Sequence, residues 1–181
     1  MKDLTQKSLV LIKPDALERN LIGEIVSRFE KVGLRVVDAK MVNVTKELAT
    51  NHYPGADEAW LTKVGNNTIS DCEKYGFDVK ETMGTDDAIE LGKLIHSWNI
   101  AAFDGQRILA FVFEGVHAIE VIRKITGSTL PLLAAPGTIR GDLSSASAIS
   151  ENIHQSAIRN LVHASGDPEE AEREIELWFG K

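Results

Sequence analysis

The order of strand-like and helix-like segments limits most strongly how this chain can fold. Short runs rich in β-branched residues predict strands, and apolar residues at helical spacing predict the helices between them. In chain order the predicted elements are a strand at Ser8–Ile12, a helix at Leu21–Val32, a strand at Leu34–Val44, a strand at Ile108–Phe113, a helix at Val116–Thr126 and a strand at Ala157–Val162. Two strand–helix–strand halves on one sheet predict a ferredoxin-like α/β sandwich, an antiparallel βαββαβ sheet with helices packed on it.

Residues that start and stop helices support these boundaries. Gly33 and Gly127 stand directly after the two long helices, where a glycine commonly ends a helix. Thr45 is a predicted N-cap for a short helix that reaches His52 and Tyr53. The segment that begins with Asp167 combines an N-cap, a proline and a glutamate, and predicts a last helix that continues to Phe179.

Residues 56 to about 105 have a different composition from the rest. They are polar, rich in Asp, Glu, Lys and Asn, and repeatedly interrupted by glycine, with short amphipathic stretches between the glycines. A segment of this size buries little apolar surface alone. We therefore expect a mostly helical insertion within one domain that spans residues 1–181.

Composition excludes several classes of protein. The chain has 181 residues, 43% of them hydrophobic, and a net charge of −7, which argues against an RNA-binding ferredoxin-like domain and against an anionic membrane surface. Cys72 is the single cysteine, so neither a disulfide framework nor a multi-thiolate zinc site is available. The sequence has no apolar run of transmembrane length and no secretory cleavage pattern, and it predicts a cytoplasmic location.

Several cations stand at the ends of predicted elements in this acidic chain. They are Lys13, Arg123, Lys124, Arg140 and Arg159. Any one of them could be an ordinary solvated side chain. Lys13 and Arg140, however, adjoin proline or glycine in turns, where backbone amides can approach a ligand. Converging cations and exposed amides suit a polyphosphate.

His163 differs from the other four histidines because it ends an apolar strand and precedes a capped helix. Such a junction can hold an imidazole near the positive end of a helix, which favours a phosphate. Glu174 on the following helix can reach back to the ring, fix its tautomer and increase its nucleophilicity. The neighbouring acids Glu170 and Glu172 are expected to be exposed. No Walker A loop, GxGxxG turn or GxSxG elbow offers another phosphate or nucleophile site.

Four collinear segments resemble the nucleoside diphosphate kinase family. They are SLVLIKPDALERNLIGEIVSRFE, VFEGVHAIEVIRKITGST, APGTIRGD and NLVHASGDPEEAEREIELWF. Together they comprise 69 of the 181 residues and stand in the family's order. The resemblance implies reversible transfer of a γ-phosphate from a nucleoside triphosphate to a nucleoside diphosphate through a phosphohistidine.

The resemblance also implies roles for individual residues. His163 would be the nucleophile, Glu174 the acid that holds its second ring nitrogen, and Ser165 the support of that acid. The implied nucleotide-binding residues are Lys13, Tyr53, Arg123, Thr129, Arg140 and Asn160, the last of them at the sugar hydroxyl. Mg²⁺ would be bound mainly through the nucleotide phosphates, and the protein would be a homo-oligomer.

The sequence departs from the family pattern at a few positions. The family's HGSD is HASG here, so that Gly166 replaces an acid. The insertion covers the place where a family phenylalanine stacks on the base, and His96 or Ile95 stands nearest that place. A second, shorter insertion lies between Asp142 and Asn160. Some longer, archaeal-type members are similar in the first insertion and in HASG. A catalytically silent nucleotide-sensing or scaffold module of the same fold remains the alternative.

Overall fold

Four strands form one antiparallel sheet in the described part of the chain, which comprises residues 4–55 and 57–180 of this computed structural model. In chain order they are β1 (Thr5–Ile12), β2 (Arg35–Asn43), β3 (Arg107–Val116) and β4 (Val162–Ala164). Their spatial order is β2-β3-β1-β4, and each neighbouring pair is antiparallel. This order is that of a βαββαβ sandwich, and the predicted fold class is confirmed.

Helices fill most of the remaining sequence. In the described residues they are α1 (Pro14–Glu18), α2 (Ile22–Glu30), α3 (Lys46–His52), α4 (Glu58–Tyr75), α5 (Val79–Met83), α6 (Ala88–Ala101), α7 (Ala118–Thr126), α8 (Ile139–Leu143), α9 (Ala148–Ile153) and α10 (Pro168–Phe179), with a 3₁₀ turn at Pro131–Leu133. None of them is both long enough and apolar enough to cross a bilayer.

These elements fall into two compact units. The sheet unit contains the described parts of residues 1–44, 105–145 and 160–181, and the helical unit contains residues 45–104 and 146–159 with the exception of Ala56. Ala56, the first residue of the predicted insertion, lies outside the described residues. The helical unit joins the predicted insertion to α3 and to α9.

Alternating side chains of β1 are buried on both faces of the sheet. Val10 and Ile12 pack with Phe29 of α2, Phe113 of β3 and Ile122 of α7 in one core. Side chains of neighbouring strand residues point to opposite faces, so Leu9 and Leu11, also fully buried, face the other side. Since α10 contacts β1, two covered faces explain why the central run of β1 is continuously apolar.

The insertion is helical, as predicted, and its composition explains where its helices begin and end. Aspartates cap α4, α5 and α6, for example Asp57, whose carboxylate accepts the N–H of Trp60 at 2.7 Å. Gly76 and Gly84 end α4 and α5 with φ of +76° and +82°, in the left-handed region that glycine enters easily. Several of the Asp and Gly residues of the insertion therefore mark helix ends.

The predicted last strand is wrong in position. The sequence favours Ala157–Val162, whereas β4 spans Val162–Ala164. Leu161 has φ of +69°, outside the range of a strand, so the chain becomes extended only after it. The short helices α1 and α8 were not predicted, because five residues are too few to show a helical period.

Candidate active site

A tight turn directly precedes β4. The N–H of Val162 donates to the carbonyl of Asn160 at 2.8 Å, which encloses Leu161 in a three-residue turn. Left-handed backbone at a leucine costs on the order of 1–3 kcal/mol and persists only when its surroundings hold it. The Asp15 carboxylate accepts the N–H of Leu161 at 2.9 Å. The N–H of Lys13 donates to the carbonyl of Leu161, also at 2.9 Å. The Lys-Pro-Asp segment after β1 thus fixes the entry into β4.

The strand register then decides which way His163 points. His163 pairs with Leu11 across β1 and β4, and directly paired residues project to the same face of a sheet. Leu11 faces the side that α10 covers. The imidazole therefore lies on the face where a residue of α10 can reach it, although 11 residues separate His163 from Glu174.

A chain of hydrogen bonds runs from the imidazole into the core. Nε2 of His163 lies 2.8 Å from Oε1 of Glu174, and the hydroxyl of Ser165 donates to Oε2 of the same carboxylate at 2.8 Å. The N–H of Leu9 donates to the Ser165 hydroxyl at 3.2 Å. Glu174 and Ser165 are fully buried, whereas the His163 side chain is 19% exposed. The buried side chains of Glu174 and Ser165 thus hold a partly exposed imidazole.

Glu174 determines which ring nitrogen is available for chemistry. A carboxylate accepts hydrogen bonds, so the contact places the imidazole proton on Nε2. Nδ1 then carries the lone pair. Arg173 lies beside the pair, with Nη2 3.8 Å from Oε1 of Glu174.

Arg140 is a buried cation, 7% exposed, that holds three backbone carbonyls. Its Nε donates to the carbonyl of Asn160 at 3.0 Å, Nη1 to that of Gly127 at 3.0 Å, and Nη2 to that of Val162 at 2.5 Å. A planar guanidinium can serve several acceptors at fixed angles. Arg140 therefore joins the end of α7 to both sides of the turn before His163.

Lys13 and Thr129 are linked through Asn160. The Lys13 ammonium donates to Oδ1 of Asn160 at 2.9 Å, and Nδ2 of Asn160 donates to the Thr129 carbonyl at 2.9 Å. Lys13 and Asn160 are both buried, whereas Thr129 is exposed. One amide therefore orients a cation on one side and the loop after α7 on the other.

Arg123 lies in the last turn of α7 and is exposed. Its Nη1 would be 3.5 Å from a side chain at position 166, which is glycine. Of the residues predicted to form the site, the structure brings together in the sheet unit Lys13, Arg123, Thr129, Arg140, Asn160, His163, Ser165 and Glu174.

Tyr53 lies in the helical unit, at the residue after α3. Its ring centroid is 4.7 Å from that of His52 and 5.2 Å from that of Phe103. The two residues nearest the predicted base position, His96 and Ile95, also belong to the helical unit, on α6. The ring of His96 meets Trp60 edge to face, with the centroids 6.0 Å apart.

Asp142 lies in α8, the helix that carries Arg140, and its side chain holds the turn that precedes this helix. Its carboxylate accepts the N–H of Gly137 at 2.7 Å and a guanidinium N–H of Arg28 at 2.6 Å. These two bonds, with the backbone bond first, hold the pKa of Asp142 below its ordinary value. The ion pair between Arg28 of α2 and Asp142 of α8 therefore supports the segment that carries Arg140.

Sequence reasoning missed two contributors to this site. Asp15 looked like an ordinary turn residue, and no local pattern shows that its carboxylate holds Leu161, 146 residues away. Glu170 was expected to be exposed, but it is half-buried and accepts the N–H of Gly166. A glutamate three residues after an N-cap, as in a capping box, was the signal that it could turn back.

Comparison with known proteins finds that this chain is similar to members of one family. A model of the family described as "Nucleoside diphosphate kinase" matches residues 6–63 and 90–181. A nucleoside diphosphate kinase of Pyrobaculum aerophilum is 42% identical over 174 residues, which are 96% of this chain and 94% of that relative. One of Borreliella burgdorferi is 39% identical, over 97% of this chain and 88% of its own length.

Solved structures agree. A crystal structure of the Pyrobaculum aerophilum NDP kinase has a TM-score of 0.89 and 40% identity, over 97% of this chain and 96% of that one. A Borrelia burgdorferi nucleoside-diphosphate kinase, solved as a transition-state mimic with vanadate and ADP, has a TM-score of 0.75 and 38% identity, over 97% and 88%.

An antiparallel βαββαβ sheet with a carboxylate-bound histidine among buried cations defines a phosphotransferase of the α+β class. The particular family follows from the comparisons: the chain belongs to the nucleoside diphosphate kinases, which transfer a γ-phosphate between nucleotides. The predicted family, enzyme class and function are confirmed. The family model passes over residues 64–89, which contain most of α4 and all of α5, whereas the long alignment with the Pyrobaculum relative includes most of them.

Proposed function

We propose that this enzyme moves the phosphate through a covalent intermediate on Nδ1 of His163. The observation that carries the proposal is the 2.8 Å contact between Nε2 of His163 and the buried carboxylate of Glu174. It leaves Nδ1 as the nucleophilic nitrogen of a ring whose orientation the Ser165 hydroxyl supports.

Each turnover consists of two half-reactions. Nδ1 attacks the γ-phosphorus of a nucleoside triphosphate, a P–N bond forms, and the bond to the β–γ bridging oxygen breaks. The nucleoside diphosphate leaves with that oxygen, and the proton on Nε2 stays in place against Glu174. A second nucleoside diphosphate attacks the phosphohistidine through its β-phosphate oxygen, so that the P–N bond breaks and a new triphosphate leaves. The kinetics are ping-pong.

The ionised Glu174 assists both steps. The ring acquires positive charge as the P–N bond forms, and a buried carboxylate stabilises that charge strongly because little water screens it. The Ser165 hydroxyl keeps the second carboxylate oxygen satisfied. Positioning and electrostatics of this kind supply most of the catalysis in phosphoryl transfer.

Cations of the sheet unit bind the nucleotide in this proposal. Lys13 and Arg140 act near the transferring phosphate, Arg123 and Thr129 grip the phosphate chain, and Asn160 contacts the sugar hydroxyl. The buried position of Lys13, 2.9 Å from Asn160, supports this, since a preorganised ammonium needs little rearrangement to meet an anion. The resemblance to the family also assigns Tyr53 to nucleotide binding.

Mg²⁺ enters as part of the substrate. The two buried carboxylates among the described residues, Asp15 and Glu174, are already hydrogen-bonded to protein groups. A hard cation prefers oxygen ligands, and nucleotide phosphates provide them. The nucleotide phosphates would hold the metal, which would neutralise part of their charge, and no residue of the sheet unit is assigned to hold it.

We also propose a cytoplasmic homo-oligomer. β2 stands at one edge of the sheet, and its apolar side chains Val37 and Met41 are 41% and 43% exposed. An edge strand with exposed apolar residues pairs readily with another chain. The single, buried Cys72 is consistent with a reducing compartment.

The test is an exchange assay with ATP and a series of nucleoside diphosphates, at several fixed concentrations of each. The proposal expects parallel double-reciprocal lines and activity with several bases. His163→Ala should retain ADP binding and cooperative unfolding but lose turnover by at least about 10⁴-fold, as for loss of a nucleophile. Intersecting lines would contradict the intermediate, and ADP binding by the parent without exchange would support the silent module.

A further inference from the structure

A carboxylate in the first turn of α10 turns back toward the segment that holds His163. Glu170 is the third residue of this helix, and its Oε2 accepts the N–H of Gly166. The N–H of Glu170 donates to Oδ1 of Asp167 at 2.8 Å. The two bonds run in opposite directions between the helix and the preceding residues. They fix the chain three residues beyond the nucleophile.

Gly166 makes this contact sterically possible. A Cβ at position 166 would lie 2.6 Å from Oε2 of Glu170, closer than real Cβ atoms approach other heavy atoms. The φ of Gly166 is not positive, so its backbone is open to other residues. The position of the Glu170 carboxylate, and not the backbone conformation, therefore requires glycine here.

The same small space borders Arg123. The position of the absent Cβ is 3.5 Å from Nη1 of Arg123, and that guanidinium is therefore close to the Glu170 carboxylate as well. Opposite charges near a protein surface attract appreciably over such separations. Glu170 thus bonds the backbone that follows His163 and lies near a cation that the proposed function assigns to the phosphates.

A general effect of charge at the helix end does not account for this arrangement. Any carboxylate in a first helical turn is favoured by the helix dipole. Glu169 is also in that turn, but it is exposed. Glu170 is half-buried and bonded to Gly166. The two neighbours therefore separate a helix-end effect from the specific contact.

We propose that Glu170 is a positioning residue for phosphoryl transfer. Its carboxylate takes the side-chain space of residue 166 and holds residues 163–166 so that Nδ1 of His163 meets the phosphorus at the right distance and angle. The inference rests on the proposed function of His163. Small misplacements of reacting groups cost up to about 10²-fold in rate, so loss of this one support is expected to cost about 10-fold.

The first test compares Glu170→Ala, Glu170→Gln and Glu169→Ala. The measurements are the single-turnover rate of His163 phosphorylation at saturating ATP, the KM for ATP and the thermal unfolding midpoint. Glu170→Ala should lower the rate about 10-fold with KM changed by less than about threefold, because orientation and not binding is lost. Glu170→Gln keeps an oxygen acceptor for Gly166 and should recover most of the rate. Glu169→Ala should match the parent. Equal rates in the Glu170→Ala and Glu169→Ala proteins would overturn the proposal.

The second test uses Gly166→Ala, alone and with Glu170→Ala. The new methyl group clashes only with the movable end of Glu170 and makes an ordinary contact with Arg123. It should therefore displace the carboxylate without unfolding the protein. Each single variant then loses the same interaction, and the double variant should be no slower than Glu170→Ala. Multiplied losses in the double variant would show that the two positions act independently, and would contradict the inference.

The readout distinguishes this inference from the function on which it rests. If the parent protein is not phosphorylated at His163, the proposed function itself fails. If the parent is phosphorylated there and Glu170→Ala is phosphorylated as fast as the parent, only the role of Glu170 fails. Unfolding midpoints within a few degrees of the parent show that the compared rates belong to folded enzymes.

Discussion

The sheet unit and the helical unit have different interiors. Among the described residues, every buried Lys, Arg, Asp or Glu lies in the sheet unit: Lys13, Asp15, Arg140 and Glu174. Each is hydrogen-bonded to backbone or to another buried side chain. An isolated buried charge costs several kcal/mol, so a unit that keeps four of them depends on complete networks.

The helical unit instead packs its helices through glycine. A Cβ on Gly65 would lie 2.7 Å from Cα of Ala88, and one on Gly92 would lie 2.7 Å from Cα of Leu61. The backbones of α4 and α6 therefore approach closely at two points. Networks of buried charges thus concentrate in the unit where the phosphate chemistry is proposed, and close backbone packing occurs in the unit that contains the predicted insertion.

After loss of the nucleophile His163 itself, the largest effect is expected at Glu174. Glu174→Gln keeps a hydrogen-bonding group but removes the charge that stabilises the positive ring, and should lower kcat about 10- to 10³-fold. Steady-state exchange of phosphate between ATP and a diphosphate measures it. Glu172, exposed on the same helix, is the control and should tolerate alanine. Equal activity in the two variants would mean that Glu174 is an ordinary acid.

Arg140→Ala should reduce both rate and stability. In the proposed mechanism the guanidinium stabilises the transferred phosphate, so the rate should fall about 10²-fold, as for other lost transition-state donors. The three carbonyls that it holds lose their donor, which should lower the free energy of unfolding by about 1–3 kcal/mol. Phosphate exchange measures the rate, urea unfolding measures the stability, and ADP titration measures the affinity. Arg123→Ala should have a smaller effect on both rate and stability. A loss of ADP affinity as large as the loss of rate would show that Arg140 only binds.

Gly65→Ala probes the helical unit. The methyl group meets backbone that cannot move alone, so α4 and α6 must separate, and the free energy of unfolding should fall by about 1–3 kcal/mol. The phosphorylation rate of the folded protein should stay within about threefold of the parent, since no charge network is touched. Gly55→Ala, with no heavy atom within 4 Å of its Cβ, is the control. Unchanged stability would refute the close packing.

The smallest effect is expected at the exposed Asp142–Arg28 pair. The pKa of Asp142 is lowered by the Gly137 N–H and by Arg28, so the folded protein favours the carboxylate. Its contribution to stability is complete above about pH 5 and is lost as the pH falls through the folded pKa, below 3.8. Asp142→Asn should therefore be less stable than the parent at pH 7, by a margin that shrinks as the pH falls below 3.8. Urea midpoints at pH 7 and at several acidic pH values test this, and a margin that does not shrink in acid would contradict it.

Most of the fold and the chemical centre could be predicted from sequence. Continuous apolar runs predicted β1 and β3, because both faces of those strands are covered. His163 and Glu174 were found because a strand, a turn and a capped helix lie next to each other in sequence. Tertiary contacts decide the rest. The left-handed Leu161 displaces the last strand, and nothing local announces it, since Asp15 holds it from the other end of the chain.

The proposed mechanism requires that the transferred phosphate is bound covalently to His163. The enzyme should be mixed with γ-labelled ATP, quenched in base and digested, and the labelled residue identified by mass spectrometry and phosphorus NMR. We predict one acid-labile phosphate on Nδ1 of His163, removed at once by an added nucleoside diphosphate with formation of the corresponding triphosphate. Label on another residue, label that a diphosphate does not remove, or labelling of the His163→Ala variant would contradict the account.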